Sequence, residues 1–146
     1  MNDKNELNLQ APILPHIGLG GIKLSAHIQN YKELISSFSW LDFSTLEDQS
    51  ISLFSPFHIG YELQDTLVMI FDVLTGKLER ICVKKEYKGT LFDKIQVGMP
   101  IEEAIKMESR LKYDELEEYF YIDGVAGVVI ESDASDSYIE VISIHI

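Results

Sequence analysis

The feature that most constrains the fold is a pattern that occurs twice along the chain. An amphipathic helix opens at Ile22-Lys23-Leu24-Ser25-Ala26-His27-Ile28, and another opens 73 residues later (95 minus 22) at Ile95-Gln96-Val97-Gly98-Met99-Pro100-Ile101. Each leads to a predicted pair of strands, 67–74 with 78–85 and 125–131 with 138–146. Each unit offers a sheet face that the other extends and a helix that covers it. The pattern predicts an α+β fold, a tandem helix-plus-antiparallel-hairpin repeat that forms a sheet with two helices packed on it.

The domain organisation follows from the length and from the offsets between the two units. A chain of 146 residues fits one domain. We expect two repeats, about 20–91 and 92–146, after an irregular lead-in, 1–19, that contains prolines and glycines. The last strands are offset by 61 residues (142 minus 81), against 73 at the helices. The first repeat therefore carries about 12 additional residues between its helix and its hairpin.

Apolar residues at helical spacing predict the extents of the two helices. The first helix is expected over 28–38, from the stripe Ile28, Tyr31, Leu34, Ile35 and Phe38. The second is expected over 101–112, from the stripe Ile101, Ala104, Ile105, Glu108 and Leu111. We expect Ile105 on the buried face, whereas Glu108 interrupts the stripe.

Further short strands are indicated by aromatic and β-branched residues. They are expected at 51–54 and 57–63. Thr75-Gly76-Lys77 predicts the turn of the first hairpin, because Gly76 supplies the positive φ that a tight turn requires. Asp123-Gly124 predicts a turn before the apolar run 125–130, which suits an interior strand.

The charge of the chain limits its partners. Lys and Arg number 12 against 24 Asp and Glu, a net charge of −12. Residues 102–140 hold 12 acids and 3 bases, or −9 of that total. Such a surface repels nucleic acid and anionic membranes, since both bind proteins through Lys and Arg. We therefore expect no nucleic acid and no membrane partner, but a basic protein. Alternatively, the acids only keep a small protein in solution.

The compartment is indicated by the cysteine content and the first residues. No run approaches the roughly 20 apolar residues that span a bilayer. The start, Met1 to Leu7, lacks the basic and apolar regions of a secretory signal. Cys82 is the single cysteine, which suits the cytoplasm, and its apolar strand context predicts a buried structural thiol. These features predict a soluble cytoplasmic protein.

Chemical motifs are scarce. The chain has no dinucleotide fingerprint, phosphate loop or nucleophile elbow. Its histidines, His16, His27, His58 and His145, lie in four separate elements without metal-ligand spacing. The turn with Glu131, Asp133 and Asp136 lacks the ligand spacing of a calcium loop. We predict no catalytic residue, no cofactor and no metal, and hence no enzyme. A zinc site assembled in three dimensions and a weakly calcium-binding turn remain the alternatives.

Three segments resemble parts of known bacterial families. Gly20-Gly21-Ile22-Lys23-Leu24 and Ile95-Gln96-Val97-Gly98-Met99-Pro100-Ile101-Glu102-Glu103-Ala104 resemble the helix start of BamE/SmpA-like and β-lactamase-inhibitor-protein-like repeats. In that start a short strand runs into a helix, and an antiparallel meander follows. The lead-in at 13–22 resembles immunity proteins of contact-dependent inhibition toxin systems. Ser25 stands where the second unit has Gly98, and a lipoprotein signal is missing, which favours a cytosolic binder over outer-membrane assembly.

The resemblance and the acidic charge together predict an inhibitor. The expected function is that of a cytoplasmic immunity protein, an antitoxin that neutralises a cognate secreted toxin domain, such as a nuclease, by covering its active or substrate surface. The alternative is a small-molecule or peptide-binding module that uses a concave sheet face. Acidic and aromatic residues suit an interface. The candidate partner-binding residues are Glu115, Glu117, Glu118, Tyr119, Tyr121 and Asp123, with Trp40, Asp42, Glu47 and Asp48 as a second patch.

Overall fold

The main element of the fold is an antiparallel sheet. A computed structural model describes residues 6–41 and 57–146, and in these ranges eight strands form one sheet. The strands of this sheet are β3 (Ser39–Leu41), β4 (His58–Leu63), β5 (Leu67–Asp72), β6 (Leu78–Val83), β7 (Leu111–Asp114), β8 (Tyr119–Ile122), β9 (Val125–Ser132) and β10 (Ile139–His145). The fold is therefore mixed α and β, with sheet predominating, and the strand pairs predicted around residues 67–83 and 125–146 are confirmed.

Short elements precede each set of four strands. Two-residue strands β1 (Gly18–Leu19) and β2 (Ile22–Lys23) pair with each other. A single 3-10 turn (Ile28–Tyr31) leads into α1 (Lys32–Ile35), and α2 (Ile101–Met107) precedes β7. In the described residues each helical segment is thus followed by four strands of the large sheet. Besides the two hairpins, the sequence indicated only the strands at 51–54 and 57–63.

The strand order places the two sets of strands side by side. From one edge to the other it is β3-β4-β5-β6-β10-β9-β8-β7, with every neighbouring pair antiparallel. The last strand of each set, β6 and β10, meet in the middle, where Cys82 lies opposite Ser143. The outermost strands among the described residues, β3 and β7, belong to different sets and form the two edges of the described sheet.

The core lies mainly on one face of this sheet. Alternate residues of a strand point to opposite faces, so Leu67, Met69 and Phe71 of β5 share the core face. That face packs with residues of the lead-in and of the helical segments, including Ile13, Leu19, Tyr31, Ile101 and Ala104. A smaller buried cluster on the other face comprises Leu41, Val68, Ile70 and Cys82. The central strands are buried on both faces, and Cys82 is buried as expected.

The lead-in is attached to the segment that follows β6. The Tyr87 hydroxyl donates a hydrogen bond to the Ala11 carbonyl oxygen at 2.6 Å, and burial raises the pKa of Tyr87 to about 12. An added Cβ on Gly89 would overlap the Ala11 carbonyl oxygen. The backbone amide of Ile13 also donates to the Thr90 carbonyl oxygen at 2.9 Å. These contacts hold residues 11–13 of the lead-in against the core.

Both predicted helices are shorter in the structure. The segment 28–38 contains only a 3-10 turn and one α-helical turn, because the Ser36 and Ser37 hydroxyls donate to carbonyl oxygens three residues back and compete with further helix. The segment 101–112 is helical only to Met107, and Leu111 already begins β7. The predicted burial of Ile105 is wrong, since its exposed fraction is 45%.

Two further strands were predicted from the sequence, and one of them falls within the described residues. The strand expected at 57–63 is β4. The strand expected at 51–54 lies outside the described residues.

Candidate partner-binding surface

The first predicted patch is a hairpin at one edge of the sheet. Strands β7 and β8 pair antiparallel, and only β8 has a further neighbour, β9. Buried Leu111 and Ile122 face each other at the base of this hairpin and join the main core. The base is therefore fixed by apolar packing, while the other end extends from the sheet.

The tip of the hairpin, residues 115–118, is exposed throughout and strongly acidic. One side-chain oxygen of Asp114, Oδ1, accepts hydrogen bonds from the Leu116 amide at 3.0 Å and the Glu117 amide at 3.1 Å. The Asp114 carbonyl oxygen accepts from the Glu118 amide at 2.8 Å, and Glu118 has a φ of +61°. Backbone bonding thus orders the tip and leaves the side chains of Glu115, Glu117 and Glu118 to solvent.

An apolar side chain stands among these acids. Leu116 is 90% exposed at the tip. Burying a leucine side chain on binding removes apolar surface from water, which favours association. The sequence prediction missed Leu116, although an apolar residue within the run Asp114-Glu115-Leu116-Glu117-Glu118 was a visible signal.

The predicted tyrosines line a groove beside the tip. Tyr119 is half-buried and Tyr121 is 37% exposed, and the two alternate on β8, so they share a sheet face. The groove has a volume of about 550 Å³ and is open to solvent. Asp114 lies at one end of its lining, and backbone and side chains of β9, from Val125 to Val129, form much of its floor. The tyrosines are therefore surface groups and not part of the core.

His145, on strand β10 beside β9, also lines this groove. The His145 Nδ1 atom lies 2.9 Å from the Ile146 carbonyl oxygen. Burial lowers the pKa of His145 below its ordinary value, and the nearby charges of Arg80 and His16 lower it further. These effects favour the neutral form of His145.

The opposite face of the hairpin belongs to the core side. Tyr113, which the sequence prediction did not include, is half-exposed, and its ring centroid lies 4.9 Å from that of Phe120. Phe120 packs against the main core. Asp123 is exposed at the turn between β8 and β9. The structure thus brings all six residues of the first patch onto one hairpin and its following turn.

The second predicted patch lies at the other edge. Trp40 is on β3, opposite Tyr61, and is 65% exposed. Six strand spacings separate β3 from β8, or roughly 29 Å along the sheet. Asp42, Glu47 and Asp48 lie outside the described residues. Trp40 is therefore on a surface separate from the hairpin.

Several ionisable side chains outside the two patches form local hydrogen bonds or ion pairs. Asp133 Oδ1 accepts hydrogen bonds from the Ser137 and Tyr138 amides, and the first of these is the main cause of a lowered pKa at Asp133. His58 Nε2 lies 2.6 Å from Glu79 Oε2. The His27 ring accepts a hydrogen bond from the Gln29 amide at the start of the 3-10 turn. In the ranges 6–41 and 57–146 no group of three His, Cys, Asp or Glu is placed to hold a metal ion.

Comparison of the chain with protein-family models, with curated proteins and with solved structures finds no match. Within the described part of the chain, no helix has the length and apolar character needed to cross a bilayer.

Proposed function

We propose that this chain is a cytoplasmic inhibitor, an immunity protein that binds a cognate toxin domain and covers its active or substrate surface. The observation that carries the proposal is the β7–β8 hairpin, whose ordered tip presents three glutamates and one leucine that is 90% exposed. Two tyrosines and a groove adjoin the tip. Apolar and aromatic groups surrounded by charge are typical of protein interfaces.

Charge explains why the partner would be basic. The segment 111–124 holds five acids and one lysine, a net charge of −4 (1 minus 5). A negative surface accelerates encounter with a positive one, and it disfavours nucleic acid and anionic membranes. A nuclease domain, which needs positive charge to hold nucleic acid, is one class of toxin that would fit. The proposed role needs no catalytic residue, cofactor or metal from this chain, and so describes a binder and not an enzyme.

The first test reverses the charge of the tip. We expect Glu115→Lys, Glu117→Lys and Glu118→Lys together to leave folding nearly intact, since exposed charges contribute little to stability. The variant should bind the toxin domain captured by the tagged wild-type chain with an association rate reduced at least about tenfold at low salt. Stopped-flow mixing at two salt concentrations measures this rate and its salt dependence.

The matched control reverses three exposed glutamates elsewhere, Glu86, Glu102 and Glu103, and so changes the net charge by the same amount. If both triple variants slow association equally, general charge and not the hairpin determines binding. If neither does, the tip is not part of the interface and the Trp40 edge becomes the candidate.

A small-molecule or peptide-binding module is the second candidate function, and the groove favours it. Its volume of about 550 Å³ lies within the range of ligand pockets, although it is open on one side. A large secreted protein encoded directly upstream would favour the inhibitor, whereas a metabolite that raises the melting temperature of the isolated chain would favour the module.

We further propose that the fold is a tandem repeat within one domain, and the strand registers support this. Leu67 lies opposite Val83, and Val128 lies opposite Ile144, so both partners shift by 61 residues. The register irregularity between Ile70 and Phe71 recurs after the same shift, in the pairing of β9 with β10.

Hydrogen bonds between the helical segments and the strands support the same proposal. The Ser25 amide donates to the Leu78 carbonyl oxygen at 2.8 Å, and the Gly98 amide donates to the Ile139 carbonyl oxygen at 2.8 Å. The donors are 73 residues apart and the acceptors 61, which are the two offsets found in the sequence. Ser25 and Gly98 both have positive φ, +68° and +94°.

A further inference from the structure

We infer that the groove beside the β7–β8 hairpin binds an arginine side chain of a basic protein. This inference rests on the proposed function, because it names the chemistry by which the toxin domain would be recognised. It concerns the groove, whereas the charge-reversal test above concerns the tip.

Two aromatic rings provide the apolar part of this site. Tyr119 and Tyr121 line the groove, and alternate residues on a strand lie roughly 6.8 Å apart on one face. Among the described residues, neither ring packs on another ring and neither hydroxyl has a hydrogen bond. The hydroxyls, and the exposed ring of Tyr121, are therefore available to a ligand. A planar guanidinium stacks on aromatic rings, and arginine does so more readily than lysine.

A carboxylate oxygen lies at the end of the groove. Asp114 uses Oδ1 for both side-chain hydrogen bonds to the tip, and in the described part of the chain Oδ2 has no hydrogen-bond partner. Asp114 also lines the groove. One oxygen thus shapes the hairpin, and the other remains for the charge-assisted bond that a guanidinium forms with a carboxylate.

The charges around the groove favour a cation. Glu115, Glu117 and Glu118 follow Asp114 directly, and Asp123 lies at the next turn. Lys112, opposite Tyr121 on β7 and exposed, opposes this charge, and Arg80 lies near His145 on the other side of the groove. Burial lowers the pKa of His145 and so favours its neutral form. The local charge is therefore negative despite Lys112 and Arg80.

The experiment uses a defined probe, the peptide acetyl-Gly-Thr-Arg-Thr-Gly-amide, titrated into the full ¹⁵N-labelled chain. The same peptide with citrulline in place of arginine keeps the planar shape and removes the charge. We expect the arginine peptide to shift the amide signals of Tyr119, Tyr121 and Gly127, and to bind at least about fivefold more tightly than the citrulline peptide. A lysine peptide should bind with intermediate affinity.

Variants of the groove give the matched comparison. Tyr121→Ala and Asp114→Asn should each weaken binding of the arginine peptide about fivefold or more, whereas Lys112→Gln should strengthen it. Tyr113→Ala, on the same hairpin but on the opposite face, should leave the affinity unchanged. Equal affinity for arginine and citrulline peptides, or signal shifts confined to residues 115–118, would overturn the inference.

The two proposals fail in different ways. If the captured toxin domain binds Tyr121→Ala and the wild-type chain with equal affinity, the arginine site is wrong and the inhibitor proposal stands. If the arginine peptide binds as expected but no protein depends on the hairpin tip, the groove is a cation site and the inhibitor proposal is wrong.

Discussion

Glu108 is a buried charged side chain at the C-terminal end of α2. It is 2% exposed, and its carboxylate accepts hydrogen bonds from Arg110 Nε at 2.8 Å and Nη2 at 3.0 Å, with Lys94 Nζ at 3.5 Å. The bonds from Arg110 are the main cause of its low pKa, about 2. Arg110 in turn lies over the Phe92 ring, 4.6 Å from the centroid. The helical stripe identified Glu108 as an interruption, but its partner could not be predicted, because the backbone becomes extended at Glu108 and turns Arg110 back toward it.

The residue-scale prediction concerns the pH dependence of the stability that Glu108 contributes. The folded pKa of Glu108 lies below its ordinary value of 4.5, so its contribution to stability is complete above that pH and is lost as pH falls toward about 2. We expect Glu108→Gln to lower the melting temperature by a few degrees at neutral pH. The difference from wild type should close between about pH 5 and about pH 2.

Thermal unfolding followed by circular dichroism across this pH range measures both effects. Glu103→Gln, an exposed glutamate on the same helix, is the control and should match the wild-type chain throughout. A Glu108→Gln deficit that stays constant down to about pH 2 would show that the charge is not responsible.

At the scale of elements, the sequence predicted strands better than helices. Strands β5 and β6 were predictable because buried apolar runs flank Thr75-Gly76-Lys77, and Gly76 adopts a φ of +71°. Strands β7 and β8 were missed, since each is only four residues long and the apolar stripe carried the predicted helix through Leu111, where no glycine or proline marks the end of α2. The location of the acidic patch was predictable from composition, but its hairpin geometry was not.

The element-scale prediction tests which face of α2 is buried. Ile101 is buried and Ile105 is half-exposed on the same seven-residue helix, Ile101–Met107. We expect Ile101→Ala to cost about 2 to 5 kcal/mol, because it leaves a cavity in the core. Ile105→Ala should cost less than about 1 kcal/mol. Urea unfolding of the two variants measures the difference, and equal losses would contradict the observed orientation of the helix.

At the scale of the whole molecule, the pairing of β6 with β10 joins the two sets of strands. Residues of both sets, among them Ile81, Val83, Ile142 and Ile144, contribute to one main core. A helix followed by strands, occurring twice, was predictable from the repeated pattern. The meeting of the final strands was not, since it depends on pairing between residues about 60 positions apart.

We expect the chain to unfold as one cooperative unit. Trp40, the single tryptophan, lies on β3 at one edge of the sheet, so its fluorescence reports on the first set of strands. Far-ultraviolet circular dichroism reports on all strands. The two urea midpoints should agree within roughly 0.2 M, as two-state unfolding requires. Separate midpoints would indicate two units that unfold independently.

The position of the β7–β8 hairpin at the end of the sheet has an evolutionary consequence. Among the described strands the hairpin pairs with β9 alone, and its base depends on Leu111 and Ile122, whereas residues 115–118 contact solvent. Substitutions at the tip therefore cost little folding free energy, because exposed positions tolerate change. Selection can diversify such a segment rapidly while the strands behind it stay under strong constraint, so descendants of one gene can acquire different recognition properties on an unchanged scaffold.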